Sequence, residues 1–156
     1  MRIRLIVVGK KMPDWVETGY EEYARRMPRE LSLELIEVPL AHRGKNPDIP
    51  RLMEKEGQQM LSHVRPQDHN VALEVHGRSM KTQQLAERLS FWQSQGKDIN
   101  LFVGGPDGLS PECQQAADEA WSLSPLTLPH PLVRVILAES LYRAWSVNAG
   151  HPYHRE

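Results

Sequence analysis

The sequence predicts an α/β fold, a mostly parallel sheet with helices on both faces. Three observations carry that prediction. Short apolar runs alternate with stretches of helical periodicity in the order β-α-β-α-β-α-β-α-β-α. The apolar runs end abruptly in turn formers, as in Val8-Gly9, Val75-His76-Gly77 and Val103-Gly104-Gly105. The 156 residues suit one domain, 1–156, with no repeat, linker or low-complexity stretch.

Ile3 to Val8 reads as a buried strand ending at Gly9, with Lys10 and Lys11 in the loop beyond. Asp14 is expected to cap the first helix, with Glu17 as its capping-box partner. Val16, Tyr20, Tyr23 and Met27 then share one face. Arg25, Arg26 and Arg29 cluster near the helix end, where they favour its dipole. They read as a solvated helix end or as a phosphate-binding patch. Leu31 to Val38 is the second strand, and a phase shift in its alternation suggests a bulge. His42 to Pro47 forms a basic loop.

A second helix runs from about Asp48, with Pro50 in its first turn and Ile49, Leu52, Met53 and Met60 inward. Val71 to Val75 is the third strand, ending in His76-Gly77. Thr82 opens the third helix, with Leu85, Ala86, Leu89 and Trp92 inward and Gly96 as its stop. Ile99 to Val103 is the fourth strand. After Gly104-Gly105-Pro106-Asp107-Gly108, Ser110 suits an N-cap and Pro111 the first helical position. Glu112 to Ala120 reads as helix and Trp121-Ser122-Leu123 as a short fifth strand. Pro131 opens the last helix, Leu132 to about Asn148. Its apolar residues form more than one stripe: Val133, Leu137 and Leu141, but also Val135, Ile136 and Trp145. A helix so apolar implies two partners, its own sheet and a second subunit. Glu139 and Arg143 make a favourable pair four residues apart.

A formal net charge of −1 gives no overall support for nucleic-acid binding, although a local basic patch remains compatible with it. The single cysteine, Cys113, excludes an intrachain disulfide and suits a reducing compartment; it reads as a small packing residue. The run Leu5-Ile6-Val7-Val8 is shorter than the roughly 7–15 residues of a signal peptide's apolar core. No stretch approaches the roughly 20 apolar residues of a membrane span. The expected location is cytoplasmic, with no membrane partner. The dinucleotide fingerprint G-x-G-x-x-G is absent after the first strand, and there is no P-loop. His151 and His154 stand three apart with only Glu156 as a further ligand type, so no metal is expected.

Two loops single themselves out. The paired glycines at 104 and 105 allow a sharp turn and close approach of a ligand to the backbone. The second loop, Leu123-Ser124-Pro125-Leu126-Thr127-Leu128-Pro129-His130-Pro131, sets leucines beside exposed backbone polar groups. Apolar faces with a polar edge suit a purine, and ligands bind outside the carboxyl ends of parallel strands. His130 reads as a loop residue touching the ligand or the last helix. The tail Tyr153-His154-Arg155-Glu156 is either a frayed end or a functional segment.

GGPDGLSP, then WSLSPLTLPHPLVRVILAESLYRAWS, then the ending HPYHRE together resemble the ribosomal RNA large subunit methyltransferase H family, pseudouridine N3-methyltransferases of the SPOUT superfamily. The resemblance covers the whole chain. It implies a deep trefoil knot near the C-terminus, which sequence physics would not propose. It implies S-adenosylmethionine in the knot's loops, at Leu73, Gly104, Gly105, Leu123, Ser124, Pro125, Leu126, Thr127 and Leu128. It also implies a homodimer, with the tail of one subunit near the cofactor of the other. The substrate would be 23S ribosomal RNA in the large subunit or the assembled ribosome.

The acceptor N3 carries a proton that must leave. His154 or Tyr153 is the candidate base, His154 being better matched to neutral pH. Arg155 and Arg143 are candidates to stabilise the developing anion or grip a phosphate. RNA contacts are expected from Lys10, Lys11, Arg25, Arg26, Arg29, Arg43 and Lys45. Two rivals stand beside this reading: a non-catalytic nucleotide- or RNA-binding assembly module, and a different α/β enzyme using an adenine nucleotide.

Overall fold

The structure is a computed structural model that describes residues 1–155; Glu156, a member of the tail read above, lies outside them. Its strands are β1 (Arg2–Val8), β2 (Ser32–Val38), β3 (His69–Ser79), β4 (Ile99–Val103) and β5 (Glu119–Ser122). Its helices are α1 (Asp14–Ala24), α2 (Ile49–Leu61), α3 (Thr82–Gln95), α4 (Pro111–Ala116) and α5 (His130–Ala149). Two short 3-10 turns, Arg29–Leu31 and Pro152–Arg155, complete the order. The expected β/α alternation is present.

All strand pairs are parallel, in the order β2-β1-β4-β3-β5. Alternation along β1 and β4 sends side chains to opposite faces. Ile3, Leu5, Val7, Ile99, Leu101 and Val103 join Tyr20 of α1, Leu89 and Trp92 of α3, and Leu137 and Leu141 of α5 in one core. Ile6, Val8 and Phe102 face the other way, onto Met60 of α2 and Cys113 of α4. The fold is therefore a three-layer sandwich with α1, α3 and α5 on one side and α2 and α4 on the other.

Local chemistry explains most boundaries. Asp48 caps α2 by accepting from the Arg51 N–H at 3.3 Å, and Ser110 caps α4 by accepting from the Cys113 N–H at 3.3 Å. Gly96 ends α3 with φ +67°, the left-handed conformation that favours glycine. Four expectations are corrected. Pro13, not Asp14, occupies the N-cap of α1, with no side-chain cap, so Asp14 is the first helical residue. The β1–β2 register runs unbroken from Arg2–Ser32 to Val8–Val38, so β2 has no bulge; covered faces on both sides account for its loss of alternation. Helix α4 stops at Ala116, because residues 119–122 pair with β3 instead. Helix α5 begins at His130 with Pro129 as N-cap, so His130 is helical and Pro131 lies in the first turn.

The irregularity lies in β3. Trp121 pairs with both Leu73 and Arg78, so Glu74 to Gly77 leave the ladder as an excursion. Gly77 is required there: a Cβ would stand 2.5 Å from the Trp121 carbonyl carbon. An isolated glycine within a strand pattern is the sequence signal of such a bulge.

Candidate active site

The carboxyl ends of β3, β4 and β5 meet the start of α5 around one cavity of about 480 Å³. The β3 excursion contributes Leu73, Glu74, Val75 and His76; the β4–α4 loop contributes Gly104 through Leu109. Gln114 of α4, residues Ser122 to Ser124 and Leu126 to Leu128 of the β5–α5 loop, and His130 and Val133 of α5 close it.

Each wall has a local cause. Gly105 and Gly108 form an antiparallel bridge, with the Gly108 N–H donating to the Gly105 carbonyl at 3.1 Å. Pro106 and Asp107 are thus the central pair of a tight turn. A Cβ on Gly104 would lie 2.5 Å from the Gly108 carbonyl carbon, so only glycine fits beneath that turn. In the other loop, the Ser122 hydroxyl donates to the Ser124 carbonyl at 3.0 Å, and the Ser124 hydroxyl accepts from the Leu126 N–H at 2.9 Å. Serine side chains hold this loop in shape where Pro125 and Pro129 cannot donate. Leu126 is left 73% exposed and Val75 55% exposed, one in each of two cavity walls.

The glycine turn is anchored from outside. Arg43 donates to Asp107 Oδ2 from Nε at 3.1 Å and from Nη2 at 3.0 Å. Its Nη1 donates at 2.7 Å to Glu56, a carboxylate that is 3% exposed on α2 and also accepts from the Ala41 N–H. Arg43 is therefore engaged by the protein rather than free for phosphate. The signal was present: Glu56 falls on the inward stripe of α2 between Met53 and Met60.

His130 lines the cavity with its Nδ1 buried and unpartnered. Burial, then the charge of Arg134, holds its imidazole below the ordinary histidine range. Arg134 is itself buried, donating to Glu37 at 2.7 Å and to the Gly9 carbonyl at 2.8 Å. It joins the start of α5 to the ends of β1 and β2.

Of the residues expected at the cofactor, Leu73, Gly104, Gly105, Leu123, Ser124, Leu126, Thr127 and Leu128 line this cavity, and Pro125 does not. Glu74, Val75, His76, Gln114 and Val133 line it without having been singled out from sequence. The tail lies elsewhere. Tyr153 Oη donates to Glu139 at 3.1 Å, and its ring meets Tyr142 edge-on at 4.7 Å. Arg143 pairs with Glu139 at 2.6 Å and sits 5.0 Å over the Tyr153 ring. His154 Nδ1 is buried and unpartnered, and Arg155 is exposed. None of these four residues lines the cavity of its own chain. Glu139 is roughly 9 Å along the α5 axis from Val133, at 1.5 Å per residue.

The expected RNA contacts divide likewise. Lys10, Lys11 and Lys45 are exposed in loops at the carboxyl edge of the sheet. Arg25, Arg26 and Arg29 lie at the opposite edge, where the N-terminal ammonium of Met1 donates to the Glu30 carbonyl. There Arg25 and Arg26 both pair with Glu22. Cys113 is buried against the Gly57 carbonyl, and burial raises its thiol, as a packing residue requires. Among the described residues no group of three His, Cys, Asp or Glu is placed to hold a metal. No helix among them is long and apolar enough to cross a membrane.

A parallel sheet covered on both faces, with a mostly apolar cavity at its carboxyl edge, defines an α/β protein built to take a small ligand there. A family model described as "Predicted SPOUT methyltransferase" matches residues 1–154, and the chain belongs to that family. The fold is shared with solved structures. One, called a probable methylase family protein from Haemophilus influenzae Rd KW20, has a TM-score of 0.55 at 12% identity, covering 97% of this chain and 69% of that one. Another, called a probable rRNA-methyltransferase from Porphyromonas gingivalis, has a TM-score of 0.54 at 13% identity, covering 94% and 69%.

Proposed function

We propose that the chain is an S-adenosylmethionine-dependent methyltransferase acting on N3 of a pseudouridine in 23S ribosomal RNA. It acts as one domain, as a cytoplasmic homodimer, on the large subunit or the assembled ribosome. The observation that carries the reading is the convergence of three strand-end loops on a single cavity, in a chain of a methyltransferase family. The chain near its C-terminus is proposed to thread as the deep trefoil knot of the family it resembles.

The residues present fit the cofactor. A cavity of about 480 Å³ falls within the roughly 300–1,000 Å³ of small-molecule sites. Leucines 73, 123, 126 and 128 supply apolar walls, and Gly104 and Gly105 expose backbone at close range. When bound, S-adenosylmethionine supplies an electrophilic methyl group. Pro125 remains a proposed contact through its place in the loop.

The chain's own groups orient the substrates and manage the proton on N3. The base is His154, whose Nδ1 lies buried without a partner. Tyr153 is the poorer base: burial first, then its contacts with Tyr23 and Glu139, raises its phenol well above the ordinary range. Arg155 and Arg143 stabilise the developing anion or hold a phosphate. Because the tail does not line its own cavity, it serves the cavity of the partner subunit. Lys10, Lys11 and Lys45 meet the RNA at the cavity edge of the sheet, and Arg25, Arg26 and Arg29 at the tail end.

Two experiments test this. Calorimetry with S-adenosylmethionine, ATP and NAD is expected to show binding of the first alone; preference for ATP or NAD rejects the cofactor assignment. Mass mapping of methylated nucleotides on ribosomal RNA, with and without the protein, is expected to show one added methyl on a pseudouridine. A methyl elsewhere overturns the target.

A further inference from the structure

The geometry points to Glu74 as the residue that distinguishes the sulfonium methyl donor from its thioether by-product in this cavity. The inference rests on the methyl-donor reading above and deepens it. Two carboxylates line the cavity, Glu74 and Asp107. Asp107 meets the Arg43 guanidinium at 3.0 Å, a cation it shares with Glu56. Glu74 has no cation against it among the described residues. It accepts one hydrogen bond, from the neutral Gln114 side chain at 2.5 Å, which fixes the carboxylate without cancelling its charge. His130, the imidazole beside Arg134, adds no compensating cation at neutral pH. Glu74 is therefore the cavity carboxylate with no cation paired to it among the described residues, and the β3 excursion places it there. In a regular strand, residues 74–77 would continue the ladder with β5 instead of forming a wall.

That charge has a use in the reaction. The sulfur–methyl bond breaks with its electron pair retained on sulfur, the new bond forms from N3, and the N3 proton passes to the base. The species left in the cavity is a neutral thioether, one positive charge poorer than the sulfonium that entered. Attraction to Glu74 is present before transfer and lost after it. The residue favours loading of the donor and leaves the by-product free to go.

The test is titration calorimetry of the full chain with three ligands. These are S-adenosylmethionine, S-adenosylhomocysteine and a donor analogue with a protonated amine in place of the sulfonium. Glu74→Gln keeps the shape and an acceptor for Gln114. It is expected to weaken binding of the two cations about two- to fivefold, the size of a partly solvated ion pair, and to leave the thioether unchanged. In the unmodified protein, the ratio of donor to by-product affinity is expected to fall as salt rises. Equal weakening of all three ligands means that Glu74 is structural or meets the α-ammonium they share, and overturns the proposal. So does a ratio indifferent to both salt and the substitution. An unmodified protein that binds none of the three overturns the methyl-donor reading itself.

Discussion

Arg43 and Asp107 stand 64 residues apart in sequence and meet through two hydrogen bonds of 3.0 and 3.1 Å. Buried Glu56 holds the far side of the same guanidinium. The contact rivets the glycine turn of the cavity to α2. Arg43→Gln is expected to cost about 1–3 kcal/mol, because it leaves a buried acceptor short of a charged donor. It should also lower donor affinity by loosening the turn. The salt dependence of RNA binding should keep its slope, since a residue spent on Glu56 and Asp107 releases no counterion. A slope reduced by about one phosphate contact would return Arg43 to the RNA.

Gly104 and Gly96 make a contrasting pair. Gly104→Ala drives a Cβ to 2.5 Å from the Gly108 backbone, which cannot swing aside as a side chain can. A loss of about 1–3 kcal/mol is expected from the overpacking, with donor affinity reduced at least tenfold. Gly96→Ala meets nothing within 4 Å and is strained only by its φ of +67°. About 1–2 kcal/mol is expected there, with donor affinity unchanged. Urea unfolding and calorimetry on the two variants check both halves.

The tail separates an enzyme from a binding module. His154→Ala is expected to lower turnover about 10²- to 10⁴-fold, the usual worth of a general base, while donor affinity holds. Deleting residues 153–156 should likewise abolish methyl transfer and spare cofactor binding. Mixing Gly104→Ala chains with His154→Ala chains should restore turnover, because in the proposed homodimer a mixed pair would contain one intact cavity facing one intact tail. A tail-deleted chain that keeps full methyl transfer would favour the non-catalytic alternative for that segment.

His130 gives a pH dependence of definite sign. Burial, reinforced by Arg134, disfavours its protonated form in the folded chain. The unfolded chain therefore binds more protons between the depressed folded value and the ordinary value of about 6.5. Stability rises with pH across that window and is lost as pH falls through it. Urea unfolding at pH 7.5 and pH 5.5 should show this loss in the unmodified protein and a smaller one in His130→Gln. An equal loss in both would place the acid sensitivity elsewhere.

Much of this molecule is legible in the order of its residues. Apolar runs of period two, helical stripes, Ser110 and Asp48 as caps and Gly96 as a stop each act within a few positions, so pattern alone determined the alternation and the two loops that line the cavity. Residues 73, 104–105 and 123–128 came from the resemblance together with turn chemistry. One reading failed locally, where Pro13 displaced the adjacent Asp14 at a cap. Another failed where a distant segment competed with a local preference, as pairing with β3 shortened α4. The strand order β2-β1-β4-β3-β5, the excursion at Glu74 to Gly77, the capture of Arg43 by Glu56 and Asp107, and the separation of the tail from its own cavity were decided only by the tertiary structure. The physical reason is range: propensity and capping energies depend on neighbours within a turn, whereas ladders and ion pairs join residues tens of positions apart, whose meeting no local pattern encodes.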